Sequence, residues 1–288
     1  MFKISVFFVG LVLVGGQLKC QERTNNIILL AEGRYFESLI LDPTECLIST
    51  AIYKIRENGQ GIKGVYIPAN LAFHQSLLRL EKEDGTGYEF GLEAAAFTQF
   101  EIKYIGDNKY LGGMMNVDYR ATGFINYLNQ RFSLRARLFH ISSHLADDYI
   151  IRNEITTPTP NTLNYEQIDL TASYNYGPIR YYGGLGHVIT PNSTRKRFST
   201  QVGVFYRGKS KAYSFVTFVA GLDVKVFEEN KYRPNYRAAV GIEIGRAKKR
   251  HLLFLLDYYN GHLPYSTHEF RQISWLGISS IVLPAAIK

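Results

Sequence analysis

Long apolar runs are almost absent from this sequence of 288 residues. After a single run at Ile4–Val14, no stretch approaches the roughly 20 apolar residues that a membrane-spanning helix needs, and the mean hydropathy is −0.12. These absences disfavour a helical membrane protein. Because Lys3 precedes the run and the small residues Gly15 and Gly16 follow it, the run predicts a secretory signal peptide over residues 1–16, with cleavage as late as residue 20. The mature protein is therefore expected to be exported.

Cysteine, tryptophan and ligand-binding motifs are also scarce. The sequence has two cysteines and one tryptophan, and it lacks glycine-rich phosphate loops and paired-cysteine metal motifs. These motifs therefore assign no cofactor and no metal ligands. Cys20 and Cys46 could pair in an oxidising compartment if cleavage follows Gly16, whereas Cys46 is alone if cleavage follows Cys20. The net charge is +8, but the basic residues are not gathered into one stripe, so no nucleic-acid partner is predicted.

Tyrosine and phenylalanine, by contrast, are plentiful, with 21 and 18 residues, as suits the aromatic girdles of a membrane β-barrel. The stretch 131–138 alternates strictly between two kinds of residue. One face carries Arg131, Ser133, Arg135 and Arg137, and the other carries Phe132, Leu134, Ala136 and Leu138. Three arginines on one face are too costly for an ordinary packed core. The pattern therefore predicts a barrel strand with a wet lumen inside and lipid outside.

The same two-residue rhythm recurs along the chain and predicts an all-β fold. We expect a transmembrane antiparallel up-and-down β-barrel of about twelve strands over residues 47–288, in the bacterial outer membrane. The candidate strands are 47–57, 65–79, 88–104, 114–127, 131–144, 164–176, 179–189, 198–207, 212–226, 236–246, 251–260 and 270–283. Long links alternate with tight ones; Ile105–Gly113 is one expected outer loop, and Glu81–Gly87 is the longest expected periplasmic link. Strand number and tyrosine content disfavour the alternative, a soluble lipocalin-like barrel.

The interior of the predicted barrel carries charges of both signs. The inferred lumen residues are Arg120, Arg135, Arg137, Arg237, Asp118, Asp223, Glu243, Glu93 and Asp257. Mixed signs predict a lumen filled by ion pairs and water rather than a wide pore of one charge. Residues 17–46, which precede the barrel, are expected to form a periplasmic N-terminal segment, and a partial plug of the barrel is the alternative.

The alternation changes in the second half of the arginine-bearing strand. Phe139 and Ile141 fall in the arginine phase, whereas His140, Ser142 and His144 fall in the lipid phase. Polar side chains that face lipid are expensive and suggest a function. Two structural alternatives stay open. A β-bulge at Phe139 would return His140 and Ser142 to the lumen, or these residues could simply lie in the headgroup zone.

The spacing of His140 and Ser142 suggests nucleophilic catalysis. Residues two apart on a strand share a face. A serine nucleophile needs a base, and the base needs an orienting group. We predict Ser142 as nucleophile, His140 as base and Glu166 as the orienting residue, because Glu166 has the same phase and the right height on the next strand. Asp169 and Glu154 are the alternatives for the third role.

The motif His140-Ile141-Ser142 resembles the His-x-Ser pair of two outer-membrane enzyme families, phospholipase A and the lipid A 3-O-deacylases. In both families the pair lies on the outer surface of the barrel, with an Asn or Glu on the next strand as the third member. The resemblance implies a serine-type acyl-ester hydrolase acting on outer-leaflet phospholipid or lipopolysaccharide. Those families usually continue with Asn after the serine, whereas Ser143-His144 follows here. The alternative function is a non-enzymatic structural, transport or adhesive barrel with a plugged lumen.

Most of the mature chain also resembles an uncharacterised bacterial family, domain of unknown function 1207. The matching residues are Arg135–Asp148, Asn116–Arg120, Asn164-Tyr165 and Tyr259–His262. This resemblance supports the predicted barrel and implies no established activity.

Two charged stretches in the predicted outer loops each allow two interpretations. His144, Asp147 and Asp148 suggest a divalent-cation site, because the phospholipase family uses calcium and oxygen-rich loops can hold it; an acidic solvated loop is the favoured alternative. Arg195, Lys196 and Arg197 could pair with lipopolysaccharide phosphates, or they could be solvated loop charges.

Overall fold

Twelve long antiparallel strands form a closed barrel in the computed structural model, which describes residues 26–156, 164–191, 195–245 and 251–283. Two short strands, β1 and β3, extend the same sheet. The strands are β1 Asn26–Leu29, β2 Ile48–Glu57, β3 Gln60–Gly61, β4 Gly64–Glu81, β5 Thr86–Gly106, β6 Lys109–Asn129, β7 Phe132–Leu145, β8 Asn164–Tyr176, β9 Ile179–Val188, β10 Phe198–Lys209, β11 Val216–Phe227, β12 Asn235–Ile244, β13 His251–His262 and β14 Gln272–Leu283. The predicted twelve-stranded antiparallel barrel is thus confirmed. The predicted signal peptide, residues 1–16, lies outside the described residues.

Helical structure in the described part of the chain is limited to short elements. The α-helix α1 spans Asp147–Arg152, and two 3-10 turns span Glu228–Asn230 and Ser266–His268. No described helix combines the length and apolarity that crossing a membrane would take.

The barrel closes where β2 meets both β14 and β4. β14 pairs along the length of β2, and β2 pairs on its other side with the first half of β4, where Ser49 lies opposite Asn70. Beyond that point β1 covers the edge of β4, with Leu29 opposite Leu78. Covering this edge removes unpaired backbone groups that would otherwise invite association with other strands.

Most of the longer connections lie at one end of the barrel, which we call the outer end. Its described connecting residues are 58–63, 107–108, 146–156, 189–191, 195–197, 228–234 and 263–271. The described connecting residues at the other end are 82–85, 130–131, 177–178, 210–215 and 245. This asymmetry is typical of barrels with short periplasmic turns.

Two connections are shorter than the sequence suggested. The expected outer loop Ile105–Gly113 is wrong, because Asp107 and Asn108 alone join β5 to β6, with φ angles of 47° and 55°. Two consecutive positive φ angles make a turn whose twist matches the flanking strands. β5 and β6 are therefore 21 residues long each. The expected periplasmic link Glu81–Gly87 is also reduced, to residues 82–85.

The two faces of the wall separate as the alternation predicts. In β7, Arg135 and Arg137 are buried, while Leu138 is 53% exposed on the exterior. Most of the long strands expose large apolar side chains, so the barrel has the apolar outer surface expected of a lipid-facing wall. The pairing of β7 with β6 runs without a register shift from Phe132 to Leu145. The alternative of a β-bulge at Phe139 is therefore wrong.

One segment of the chain, residues 31–47, fills the lumen, and we call it the plug. Leu39, Leu41 and Cys46 within it are completely buried. The structure places these residues inside the barrel, and the assignment of residues 17–46 to a periplasmic segment stays a prediction. The Cys46 thiol donates to backbone carbonyls of β4 and β5 at 3.4 and 3.3 Å, and its suggested partner Cys20 lies outside the described residues.

The plug and the wall are joined by ion pairs. The Glu45 carboxylate accepts two hydrogen bonds from Arg135, at 2.6 and 3.0 Å, and lies 3.5 Å from Arg137. The Lys225 ammonium lies 3.0 Å from Asp42. The lumen residues predicted from the sequence are all buried: Arg120, Arg135, Arg137, Arg237, Asp118, Asp223, Glu243, Glu93 and Asp257. The interior is therefore a network of charges in which the plug supplies carboxylates to arginines of the wall.

The connection between β13 and β14, residues 263–271, closes the outer end of the lumen, and we call it the cap. Its Tyr265 is 2% exposed. Beneath it, the Trp275 ring stacks on Tyr53 and Tyr259, with centroid distances of 4.9 and 4.1 Å. Aromatic stacking of this kind adds to the burial of large apolar surfaces. Plug, aromatic stack and cap together make the interior a packed core.

Candidate active site

The outer half of β7 presents polar residues to the exterior and apolar residues to the lumen. Phe139 and Ile141 are each 6% exposed and pack with Tyr165 of β8 and Val188 of β9. This small apolar cluster explains why the lumen face changes from arginines to hydrophobic residues. The intervening side chains therefore point outward, with His140 and His144 exposed and Ser142 half-buried.

The His140 side chain is held by a carboxylate on the neighbouring strand. Glu166 of β8 lies directly opposite His140 in the strand pairing, and Oε1 of Glu166 is 2.9 Å from Nδ1 of His140. An ionised carboxylate only accepts hydrogen bonds, so Nδ1 carries the proton in this contact. In the neutral imidazole Nε2 is then free to accept a proton, which is the state that a general base requires.

A third residue fixes the carboxylate. The Thr190 hydroxyl, in the connection after β9, donates to Oε2 of Glu166 at 2.7 Å. Both oxygens of Glu166 are therefore engaged, one by His140 and one by Thr190. Sequence reasoning missed Thr190, because no periodicity marks a residue within a connection.

Ser142 is bound by a second histidine. The Ser142 hydroxyl lies 2.7 Å from Nε2 of His144, and the His144 ring is next to Tyr119 with a centroid distance of 6.0 Å. Residues 140, 142 and 144 share one face at equal spacing, so Ser142 stands between the two imidazoles. The sequence predicts that His144 faces lipid, and its only predicted role is in a divalent-cation site. Its spacing of two residues from Ser142, equal to that of His140, was the signal that could have identified it.

The other two candidates for the third role lie elsewhere. The Asp169 carboxylate is on the lumen side, where it accepts a hydrogen bond from Arg137 at 2.8 Å. Glu154 lies just after α1, in a left-handed conformation with φ of 50°. The structure therefore brings Glu166, rather than Asp169 or Glu154, to His140.

The charged outer stretches serve structural contacts in the described part of the chain. Asp148, in the first turn of α1, accepts a hydrogen bond from the Met114 backbone at 3.1 Å. No cluster of three or more potential metal ligands occurs among the described residues, so the structure gives the cation-site interpretation no support. Arg195 is buried and contacts Glu229 and Glu269, whereas residues 196 and 197 are exposed.

Comparisons with known proteins agree with this architecture. The profile of a family described as "Protein of unknown function (DUF1207)" matches residues 19–281. A search of curated proteins finds no match.

Solved structures of similar fold include a lipid-degrading enzyme. Outer membrane phospholipase A from Escherichia coli has a TM-score of 0.53 and 10% identity, over 82% of this chain and 89% of that chain. The Salmonella typhi phospholipase, solved as a dimer with bound calcium, has a TM-score of 0.51 and 10% identity, over 82% and 90%. An active-site mutant of the Escherichia coli protein has a TM-score of 0.53 and 10% identity, over 91% and 94%. At this identity, the likeness shows a shared barrel fold alone.

Proposed function

The chain belongs to the DUF1207 family of proteins of unknown function, and we propose that it is a bacterial outer-membrane esterase that hydrolyses acyl esters of outer-leaflet lipid. The observation that carries this proposal is the outward-facing group formed by Glu166, His140 and Ser142. Substrate lipids would be phospholipid or lipopolysaccharide, which an outward-facing site at the outer end can meet within the membrane. The similarity in fold to outer membrane phospholipase A supports the same environment.

The exposure of the polar group supports a functional interpretation over a structural one. The side chains of His140 and Glu166 are 49% and 44% exposed. An ion pair this exposed typically contributes about 0–1 kcal/mol to stability in water. Polar groups on the lipid-facing surface of a barrel are instead costly, by an amount that depends on depth. Stability alone therefore does not account for a carboxylate, two imidazoles and a hydroxyl gathered on this face.

The observed hydrogen bond between Glu166 and His140 supports the orienting role, and we assign the roles of His140 and Ser142 from their shared face. Glu166 orients His140 through Nδ1, and Nε2 of His140 accepts the proton of Ser142. A rotation of the Ser142 side chain about its Cα–Cβ bond moves the hydroxyl from His144 towards His140, since both flank it on the same face. His144 thus holds the hydroxyl in the resting state.

The proposed reaction then follows the usual course of acyl transfer. The Ser142 oxygen bonds to the acyl carbon while His140 takes its proton, and His140 returns that proton to the departing alcohol. Water, activated in the same way, next releases the fatty acid and restores Ser142.

The direct test is the substitution Ser142→Ala. Folded protein in detergent micelles or vesicles would be incubated with fluorescent phospholipid and, separately, with lipid A. We expect the wild type to release fatty acid and S142A to lose turnover by about four orders of magnitude or more. The control is S280A, which removes an outer-face serine on β14, on another part of the wall. Equal turnover in S142A and wild type would refute the esterase assignment.

The plug and cap support one second candidate, a structural or adhesive barrel without enzymatic activity. A packed lumen suits such a role better than it suits diffusion of solutes. Absence of hydrolysis on both lipids, together with absence of conductance in planar bilayers, would favour this candidate. Conductance that responds to R135A or R137A would instead favour transport.

A further inference from the structure

Arg120 differs from the other arginines of the lumen. It lies on β6, is 4% exposed, and its Nη1 donates to the backbone carbonyl of Thr44 in the plug at 2.6 Å. Among the described residues it has no carboxylate within ion-pairing distance, whereas Arg135 and Arg237 each have one and Arg137 has two. Its Nε and Nη2 have no hydrogen-bond partner within the described protein. A buried guanidinium without a counter-charge is expensive.

A cavity lies beside Arg120, between the plug and the cap. It has a volume of about 50 Å³, and its wall includes Arg120, Arg137 and cap residue Glu269. Arg137 pairs with Asp169, and its Nη1 lies 3.5 Å from the Glu45 carboxylate. Neither Nε nor Nη1 of Arg137 makes a hydrogen bond in the described structure. Two buried guanidinium groups with unused donors therefore line one polar cavity, which we call the outer chamber.

The carboxylates of the chamber wall already have other contacts. Asp169 accepts from Arg137, and Glu269 contacts Arg195. Asp118, two residues before Arg120, accepts hydrogen bonds from the Asn116 amide at 3.1 Å and from a serine hydroxyl of β7. These groups leave the charge of Arg120 without a direct partner. Water could satisfy the unused N–H groups but could not supply the missing negative charge.

Aromatic rings shape the surroundings of Arg120. Its guanidinium lies 5.2 Å from the centre of the Phe97 ring and 5.5 Å from that of Phe139. Contacts with ring faces hold a guanidinium in place and leave its edge for a planar or tetrahedral oxygen acceptor. The edge of a guanidinium binds phosphate through paired N–H donors.

We propose that the outer chamber is a binding site for a compact phosphate oxyanion, held by Arg120 and Arg137. The anion is either free inorganic phosphate or the phosphate group of a small phosphorylated molecule. The site is separate from the exterior esterase group, because Arg120 and His140 lie on opposite faces of the wall.

Isothermal titration calorimetry on the full-length protein in detergent micelles tests the proposal. Inorganic phosphate and glycerol 3-phosphate would be titrated in parallel, with sodium chloride at matched ionic strength as the reference. We expect saturable binding of one phosphate group per chain, at least tenfold weaker in R120Q. Tighter binding of inorganic phosphate identifies the free ion, and tighter binding of glycerol 3-phosphate identifies a phosphomonoester. The control R131Q, which removes an exposed arginine at the opposite end of the barrel, should bind as the wild type does.

Thermal unfolding is a second measurement, and it also shows whether the R120Q variant is folded. Without phosphate, R120Q should unfold at the same temperature as the wild type or higher, because it lacks an unpaired buried charge. With phosphate, only the wild type and R131Q should gain stability. Absence of any phosphate-specific heat in the wild type, or equal affinity in wild type and R120Q, overturns the proposal. If R120Q fails to fold, R120K takes its place, with the same tenfold weakening expected.

Discussion

Two carboxylates bind side chains of strand β7, one inside the barrel and one on its exterior. Inside, Glu45 binds Arg135 and approaches Arg137, and its side chain is fully buried. Outside, Glu166 binds His140, and its side chain is 44% exposed. The inner contact joins the plug to the wall, where loss of one partner leaves a buried charge. The outer contact contributes little to stability and leaves an imidazole nitrogen available for chemistry.

This comparison separates structure from function along a single strand. β7 carries arginines on its inner face and the His140–Ser142 pair on its outer face, a few residues further along. Substitutions on the inner face should therefore lower stability, and substitutions on the outer face should lower activity. The predictions for Glu166, Glu45 and Thr190 each test one side of that division, and the prediction for the cap tests buried groups elsewhere in the lumen.

The largest effect is expected for Glu166→Gln. The amide cannot compensate an imidazolium and can fix the wrong tautomer of His140, so lipid hydrolysis should fall about 10³–10⁴-fold. The free energy of unfolding should change by less than about 1 kcal/mol. Kinetic assay and chemical unfolding of the same preparation give both values. The control is E83Q, at the periplasmic end. A large loss of unfolding free energy in E166Q would show that Glu166 serves the stability of the barrel rather than catalysis.

Glu45→Gln should give the reverse result. It leaves Arg135 and Arg137 without their shared carboxylate in the buried lumen, which should cost about 3–5 kcal/mol of unfolding free energy. Urea unfolding in detergent measures the loss, and E57Q, which removes a carboxylate bound to Arg271 at the outer end, should cost much less. A loss below 1 kcal/mol in E45Q would mean that the plug does not stabilise the wall through this contact.

The cap should respond to pH through two buried groups of opposite sign. Burial, aided by nearby Glu229 and opposed by Arg195, raises the pKa of Glu269 to about 7. Burial and the positive charge of Arg271 lower the pKa of His268 to about 4. Glu269 therefore contributes stability at low pH that is lost as pH rises from about 4.5 to 7, and His268 contributes stability that is lost as pH falls from about 6.5 to 4.

Single substitutions should separate the contributions of Glu269 and His268 to the pH dependence of the unfolding free energy. Relative to E269Q, the wild type should lose about 1–3 kcal/mol of unfolding free energy as the pH rises to 7. Relative to H268N, it should lose a similar amount as the pH falls to 4. Unfolding curves at several pH values test both, and parallel curves for all three proteins would contradict the assignment.

The smallest effect is expected for Thr190→Val. This substitution keeps the shape of the side chain but removes the hydrogen bond to Glu166, which is worth about 0.5–1.5 kcal/mol. Hydrolysis should slow by about twofold to tenfold, and the free energy of unfolding should fall by no more than about 1.5 kcal/mol. T50V, on the exterior of β2, should leave the rate unchanged. Equal rates in T190V and wild type would show that His140 alone is enough to position Glu166.

The wall and the direction of its side chains could be predicted from the sequence. Successive residues of a barrel strand face lipid and water in turn, and lipid favours apolar side chains whereas water favours polar ones. The directions of Arg135 and Leu138 can therefore be predicted from the sequence alone. The outward direction of His140 and Ser142 followed because the rhythm continues without a bulge. Glu166 could be predicted as the neighbour of His140 because regular strand pairing determines both the position of a residue along the barrel axis and the side of the wall that it faces.

The contacts of the plug and of Thr190 could not be predicted in the same way. Residues 31–47 have no periodicity, and their partners, among them Arg135 and Lys225, are distant in sequence. Thr190 lies in a connection, where no pairing register fixes its height. The short turn between β5 and β6 was missed because its polar residues, from Asp107 onward, resemble those of a longer loop.

Because the turn between β5 and β6 is short, these two strands form a long hairpin at the outer end of the barrel. A strand of 21 residues at about 3.3 Å per residue is about 70 Å long. Tilted by about 45°, it rises about 50 Å, whereas a hydrocarbon layer measures about 30 Å. The β5–β6 hairpin therefore stands well clear of the bilayer, with Ile105 and Tyr110 exposed near its tip. Among the residues that the structure describes, the tip of this hairpin presents exposed apolar and aromatic side chains to whatever approaches that end of the barrel.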